Sequence, residues 1–247
     1  MTSLEFRDRL ARRARRAKAP LTIAMLDPLE AYFRLLTLWN AKINLTALTL
    51  DPPSDEAFDR LLIEPLAAAP HLSRGQTGVR RVSDPRGSGK GGQAGVGPVS
   101  DPAIWFDLGS GGGSPAIPLL IARPTIRLTM IESKTRKAAF LREAARAVGL
   151  AESATVLGER FEDVAQNPDY AGTADLVTVR AVRADLELFS VAGQLLRLGG
   201  MLCLFRPAHD PSPNPPGFER ISTVPLIDTP AAFLSSYRRV FHVEQSG

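Results

Sequence analysis

Ile104-Trp-Phe-Asp107-Leu-Gly109-Ser-Gly111-Gly-Gly113-Ser114-Pro115 is an apolar run that breaks into glycine at every second position. Its first four residues have the bulk of a short buried strand. Gly109, Gly111 and Gly113 let the backbone turn tightly and approach a ligand with no Cβ in the way. A helix is expected to open at Ser114 or Pro115, since Ser is a good N-cap and Pro is tolerated in a first turn. Strand, glycine loop and helix make the first unit of a nucleotide-binding sheet. The fold class predicted is α/β, a doubly wound Rossmann-like sheet, mostly parallel, with an antiparallel last strand.

The loop departs from the dinucleotide fingerprint, which wants Gly or Ala where Ser114 stands, and no Walker lysine follows it. Asp-x-Gly-x-Gly-x-Gly is similar instead to the first motif of S-adenosylmethionine (AdoMet)-dependent methyltransferases. There an uncharged loop passes under the methionine end, and no phosphate needs a cradle. The competing reading is a flexible loop after a strand, and the next strand weighs against it. Ile126-Arg-Leu-Thr-Met-Ile-Glu132 ends in an acid 25 positions past Asp107. The second strand of this architecture lies beside the first, and a carboxylate at its end accepts both hydroxyls of a ribose. The alternative for Glu132 is an exposed strand-end acid.

With 247 residues, 44% hydrophobic and 23% charged, the chain suits one α/β domain with appendages and a core that folds without staples. Cys203 is the single cysteine, which rules out an intramolecular disulfide and reads as a small core residue. Three histidines give no metal-ligand cluster. No apolar run approaches the roughly 20 residues of a membrane span, and the arginine-rich start lacks the apolar segment of a secretory signal. Glu5 and Asp8 count against a transit peptide, so a cytoplasmic protein is expected. A net charge of +4 and a pI near 9.6 favour a polyanionic partner.

Residues 4–18 carry Arg7, Arg9, Arg12, Arg13, Arg15, Arg16 and Lys18, while Leu4, Ala11, Ala14 and Ala17 are too sparse for much of a buried stripe. That segment reads either as an arm contacting phosphates or as a solvated helix face. Leu21, Met25, Leu29, Phe33 and Leu36 have helical spacing, and Trp39-Asn40-Ala-Lys-Ile43-Asn44-Leu45-Thr46 is expected to end that helix. Its Asn residues suit caps and turns, and Trp39 suits an anchor onto the main domain. Residues 55–69 read as another helix with Phe58, Leu61, Leu62 and Leu66 on one face. Residues 1–72 are thus expected to form a basic arm and helical cap, and 104–247 the AdoMet-binding domain. Between them, 73–103 is rich in Gly, Ser and Arg and reads as a flexible insertion that cannot offset its own ordering entropy.

Past Glu132, a helix over 135–148 is stopped by Gly149 and a third strand covers 154–157. Phe161 and Glu162 follow at the ligand-facing edge, placed either to pack on an adenine and read its amine, or to start an acidic helix with Phe161 in the core. A fourth strand over 174–180 ends at Arg180, whose guanidinium can hold a carboxylate, a phosphate or a base edge, or pair with a surface acid. A helix over 186–198, a fifth strand over 201–205, a proline-rich loop over 207–216 and an antiparallel pair of strands over 221–227 and 238–243 complete the order.

With these residues in hand, the chain resembles the bacterial ribosomal RNA small-subunit methyltransferase G family, also called the glucose-inhibited division protein B family. Trp39-Asn40-x-x-x-Asn44-Leu45-Thr46 is similar to its N-terminal signature, and Asp107 to Pro118 to its AdoMet motif. Glu132-Ser133 with Lys137-x-x-Phe140-Leu141-Arg142 looks like its second-strand acid and following helix, and Arg180-Ala181 like its strand-four arginine. The resemblance implies methylation of a guanine N7 in 16S ribosomal RNA, with AdoMet as cofactor and that RNA or the small ribosomal subunit as partner. It puts AdoMet contacts at Gly109, Ser114, Phe161, Glu162 and Arg180, beside Asp107, Gly111, Gly113 and Glu132. Departures fall on the substrate side. Leu61 stands where the family has histidine, Ser114 where it has a large apolar residue, Ala116 and Pro207 where it has glycine, and Arg206 where it has lysine.

The implied chemistry is direct displacement, in which an aromatic nitrogen attacks the sulfonium methyl in line and S-adenosylhomocysteine leaves. Guanine N7 has a lone pair and no proton, so no general base is needed and no catalytic residue is assigned. Catalysis rests on positioning and exclusion of water, with the target base unpaired or flipped out. Arg60, Arg180 and Arg206 are the candidates for holding RNA near the methyl group. A monomer binding neither metal nor membrane is expected. Three other readings stand beside this one: a methyltransferase acting on another RNA, a weakened RNA-binding or ribosome-assembly protein of the same fold, and a nicotinamide oxidoreductase. Glu132 would serve the last equally, but a hydride-site His/Lys/Tyr arrangement is missing.

Overall fold

A computed structural model of the chain describes residues 1–75, 101–207, 215–228 and 231–241. The strands are β1 (Ile104–Leu108), β2 (Arg127–Ile131), β3 (Ala154–Leu157), β4 (Ala174–Arg180), β5 (Leu196–Arg206), β6 (Phe218–Asp228) and β7 (Ala231–Arg239). They form one sheet in the order β3-β2-β1-β4-β5-β7-β6. The first five are parallel, and β7 enters antiparallel between β5 and β6. Strand β1 pairs with β2 on one side and β4 on the other, so the chain reverses its direction of travel across the sheet there. Ligands of open α/β sheets bind in the crevice outside the carboxyl ends at such a switch point.

Successive side chains of the strands alternate between two apolar layers. Trp105, Leu128, Met130 and Leu176 face α5 (Ala116–Ala122), α6 (Thr135–Ala147) and the N-terminal helices. Phe106, Leu108, Ile131, Val177 and Val179 face α7 (Phe161–Gln166) and α8 (Leu186–Leu195).

The N-terminal helices are α1 (Ser3–Arg16), α2 (Ile23–Ile43), α3 (Asp55–Phe58) and α4 (Glu64–Ala68), the last two joined by a π-helical stretch, Asp59–Ile63. A capping box between Thr2 and Glu5 opens α1. Its buried stripe is Phe6, Leu10 and Ala14, one turn apart, while Leu4 is exposed. The sequence reading missed that stripe by looking to Leu4 and the alanines. Phe6 lies 5.6 Å from the Phe33 ring and 5.2 Å from that of Phe58, so α1 is docked on the cap. Arg9 and Arg13 are spent on Asp55 and Asp59, whereas Arg12, Arg15, Arg16 and Lys18 are exposed.

Helix α2 runs on through Trp39 to Ile43, past its expected end. Asn44 then takes the left-handed cap position at φ 50°, and Asn40 Oδ1 accepts the Thr46 N–H at 2.8 Å. Trp39 packs 5.8 Å from the Phe140 ring of α6, the anchoring role its size suggested.

Further boundaries differ from expectation. Pro115 stands at the cap position of α5 with no side-chain cap, because the Ser114 hydroxyl is engaged elsewhere. Helix α8 stops at Leu195, and residues 196–200 join β5 through a register shift opposite Ala174 and Leu176. The final strand is Ala231–Arg239 rather than 238–243. Two serines disguised it: Ser235 and Ser236 are buried, one 3.2 Å from Thr223 Oγ1 and the other 3.6 Å from Cys203 Sγ. Cys203 is a core residue, its thiol pushed up to about 12 by burial. Residues 76–100 of the expected insertion, 208–214 of the proline-rich loop and 242–243 lie outside the described residues.

Candidate functional site

The loop after β1 is bent toward β2 by two bonds to one acceptor, Gly109 N and Ser110 N each donating to Ile131 O at 2.9 and 3.1 Å. Gly109, Gly111 and Gly113 take φ values of 69°, 50° and 81°, a region that L side chains avoid. At Gly113 a Cβ would come within 2.7 Å of Ile117 Cδ1 and 3.2 Å of Leu141 Cδ2, so the Ile117 side chain would also have to shift.

Glu132, just past β2, is 7% exposed and reaches back to this loop. One carboxylate oxygen accepts the Gly111 N–H at 2.9 Å, and the other accepts the Lys134 N–H at 2.9 Å. An ionised carboxylate has about four lone-pair sites, so two remain for a pair of hydroxyls. The acid is thus fixed in position while keeping acceptor capacity.

Asp107 is buried at the end of β1, and Thr178 Oγ1 of β4 donates to its Oδ1 at 2.5 Å. Burial pushes this carboxyl up to about 6, with Thr178, Ser110 and the Arg180 charge pulling the other way.

The cap closes over the loop from above. Tyr32 of α2, fully buried, donates its hydroxyl to Gly112 O at 2.6 Å, and burial holds that hydroxyl protonated. A Cβ on Gly112 would lie 3.3 Å from Leu45 O and 3.4 Å from Leu36 Cδ1, so cap and loop are in close contact.

Arg180, at the end of β4, is held from several sides. Its Nη2 donates to Glu64 Oε2 at 2.7 Å, and its Nη1 to the Arg60 carbonyl and to Ser114 Oγ at 3.2 Å. The guanidinium also lies 4.8 Å from the Phe205 ring centroid. Burial pushes the Glu64 carboxyl up, opposed by Arg180 and then Arg60, and burial pushes Arg180 down. Ser114 in turn donates to the Leu61 carbonyl at 2.9 Å. The contact uses only the main chain of Leu61.

Asp107, the loop glycines, Glu132, Ser114, Arg60 and Arg180 come together around the carboxyl ends of β1, β2 and β4. Arg206 ends β5, one residue past the Phe205 that pairs with Arg180. Phe161 and Glu162 start α7, beyond edge strand β3. Phe161 is half-buried against the second core layer, and Glu162 pairs with Arg160 at 3.2 Å. Neither shares a hydrogen bond with the loop network among the described residues.

Tyr32, Glu64 and Thr178 escaped the sequence reading. Glu64 had a usable signal: it is a lone charge inside Leu61-Leu-Ile-Glu-Pro-Leu-Ala-Ala-Ala69, and a charge buried in such a run needs a partner. Tyr32 sits on the same stripe as Leu29, Phe33 and Leu36, where a hydroxyl needs an acceptor.

The chain matches the GidB family model, described as rRNA small subunit methyltransferase G, over residues 95–212. Relatives carrying the name ribosomal RNA small subunit methyltransferase G match over longer spans. The protein of Stenotrophomonas maltophilia (strain K279a) is 33% identical over 213 residues, 85% of this chain and 84% of that one. That of Xanthomonas axonopodis pv. citri (strain 306) is 35% identical over 182 residues, 74% and 69% of the two chains. That of Acidiphilium cryptum (strain JF-5) is 37% identical over 177 residues, 72% and 65%. Among solved structures, the mitomycin 7-O-methyltransferase MmcR is 19% identical with a TM-score of 0.47, over 56% of this chain and 49% of that one.

Proposed function

The chain belongs to the ribosomal RNA small-subunit methyltransferase G family, and on that premise we propose that it moves a methyl group from AdoMet to N7 of a guanine in 16S ribosomal RNA. The observation that carries the cofactor half of this reading is Glu132, anchored to the middle of the glycine loop with acceptor capacity in reserve.

AdoMet supplies an electrophilic methyl group on a sulfonium, so the chain's task is to place and enclose rather than to transfer protons. Glu132 takes the ribose hydroxyls. Gly109, Gly111 and Gly113 give the methionine end a surface without side chains, above the buried Asp107. Phe161 and Glu162 stand two strands over, toward the adenine end. Ser114 and Arg180 bind the cap to the strand ends and so shield the methyl end from water. Arg60 and Arg206 are the cations at that end for an RNA phosphate or base edge. Guanine N7 needs no base, which suits a site whose buried acid, Asp107, is committed to Thr178. The protein is taken to act as a monomer in the cytoplasm, where its substrate is made.

Titration calorimetry with S-adenosylhomocysteine and with NADH tests the cofactor assignment. Wild-type protein should bind the former and ignore the latter. Glu132→Ala, which deletes two charge-assisted bonds each contributing about 1.5–3 kcal/mol, should bind it more weakly by roughly 100-fold or more. Binding of NADH alone would end the methyltransferase reading.

A further inference from the structure

Where α2 ends and α6 begins, Ile43, Asn44, Lys134, Thr135, Arg136 and Lys137 line a cleft of about 380 Å³. Half of its lining residues are cations and none is an acid. Among the described residues no acid pairs with Lys134, Arg136 or Lys137. Lys42, exposed beside Ile43, adds a fourth positive charge. Uncompensated like charges gathered in a concave surface repel one another, and they focus a field that a polyanion relieves.

The cleft's position says which polyanion. Lys134 N donates to Glu132 Oε1 at 2.9 Å, so one wall continues directly from the ribose acid. The other wall ends at Asn44, whose neighbour Leu45 packs on Gly112 of the loop. The cleft therefore flanks the cofactor loop at the end of β2, while Arg180 stands across β1 at the end of β4. An RNA strand that presents a base at the methyl end, where Arg60 and Arg206 stand, carries flanking phosphates past the loop that this cleft borders. We infer that the Lys134–Arg136–Lys137 cleft seats phosphodiester groups of the substrate RNA next to the base that is methylated. The inference rests on the methyltransferase reading above.

The test compares wild type with Lys134→Gln/Arg136→Gln and with Lys134→Gln/Arg136→Gln/Lys137→Gln, probed with a 16S ribosomal RNA fragment and with S-adenosylhomocysteine. Lys134 and Arg136 are exposed, so the double variant guards against a folding defect at half-buried Lys137. Losing two or three phosphate contacts should lower the slope of log affinity against log salt by about 1.4–2.1 and weaken RNA binding about 10- to 100-fold near 0.1 M salt. The KM for RNA should rise with kcat and S-adenosylhomocysteine affinity unchanged. Unaltered RNA affinity and slope would overturn the inference. So would a fall in S-adenosylhomocysteine affinity, which assigns the cleft to the cofactor. Loss of activity only on assembled particles, with naked RNA bound normally, would assign it to a ribosomal protein and also overturn it. Wild-type protein that neither binds RNA nor transfers methyl would instead sink the methyltransferase reading, and this inference with it.

Discussion

Arg180 Nη2 lies 2.7 Å from Glu64 Oε2, a buried ion pair joining the fourth strand to the helical cap across 116 residues of chain. The pair also gathers the Arg60 carbonyl and the Ser114 hydroxyl, so one guanidinium holds cap, loop and sheet together.

Removing one partner of a buried pair leaves the other charged and uncompensated. Glu64→Gln should therefore destabilise the protein by about 3–5 kcal/mol in urea denaturation. A loss below about 1 kcal/mol, the level of an exposed pair, would show that Arg180 is solvated after all.

Tyr32→Phe deletes the hydroxyl that satisfies Gly112 O and nothing else. The cost should be about 1–3 kcal/mol, with a weaker S-adenosylhomocysteine complex, because the carbonyl left behind is covered by the cap. Unchanged denaturation midpoint and affinity would mean the cap does not brace the loop.

Gly113 and Gly149 share the left-handed backbone, at φ 81° and 73°, yet differ in surroundings. An added Cβ meets nothing within 4 Å at Gly149 but comes within 2.7 Å of Ile117 at Gly113. Gly149→Ala should cost only the backbone term, about 1–2 kcal/mol, and leave cofactor binding intact. Gly113→Ala should cost about 1–3 kcal/mol more and lose cofactor binding. Equal costs would remove the packing argument for the loop.

Asp107 makes stability depend on pH. Its carboxyl titrates at about 6 in the folded protein against an ordinary value of 3.8, so between these the folded state holds a proton that the unfolded chain releases. Its stabilising contribution is complete below pH 3.8 and is lost as pH rises through about 6, on the order of 3 kcal/mol in all. Asp107→Asn cannot ionise, so the stability of wild type relative to this variant should fall between pH 4 and pH 6.5 or so. A flat difference across that window would contradict the burial of this acid.

Much of this was legible in the sequence because single residues forced it. The glycines at 109, 111 and 113 allowed the tight turn that they take at positive φ, and the apolar runs ending at Asp107, Glu132 and Arg180 named the strand ends in order. What hid were contacts between segments far apart in the chain. Nothing local tells that Arg180 meets Glu64, or that Ser114 donates to Leu61 instead of capping its own helix. Strand β7 was misplaced because Ser235 and Ser236 look solvent-facing, whereas the Thr223 hydroxyl and the Cys203 thiol give their hydroxyls partners in the core. The basic helix α1 was read by its arginines, whereas Phe6 and Leu10 decide where it sits.

Transfer of labelled methyl from AdoMet to small-subunit particles from cells lacking the modification, followed by chemical cleavage at N7-methylguanine, reaches the central claim directly. Wild-type protein should label 16S ribosomal RNA and create a cleavage site that Glu132→Ala does not. Absence of label, or label in RNA that resists cleavage, would contradict guanine N7 methylation by this chain.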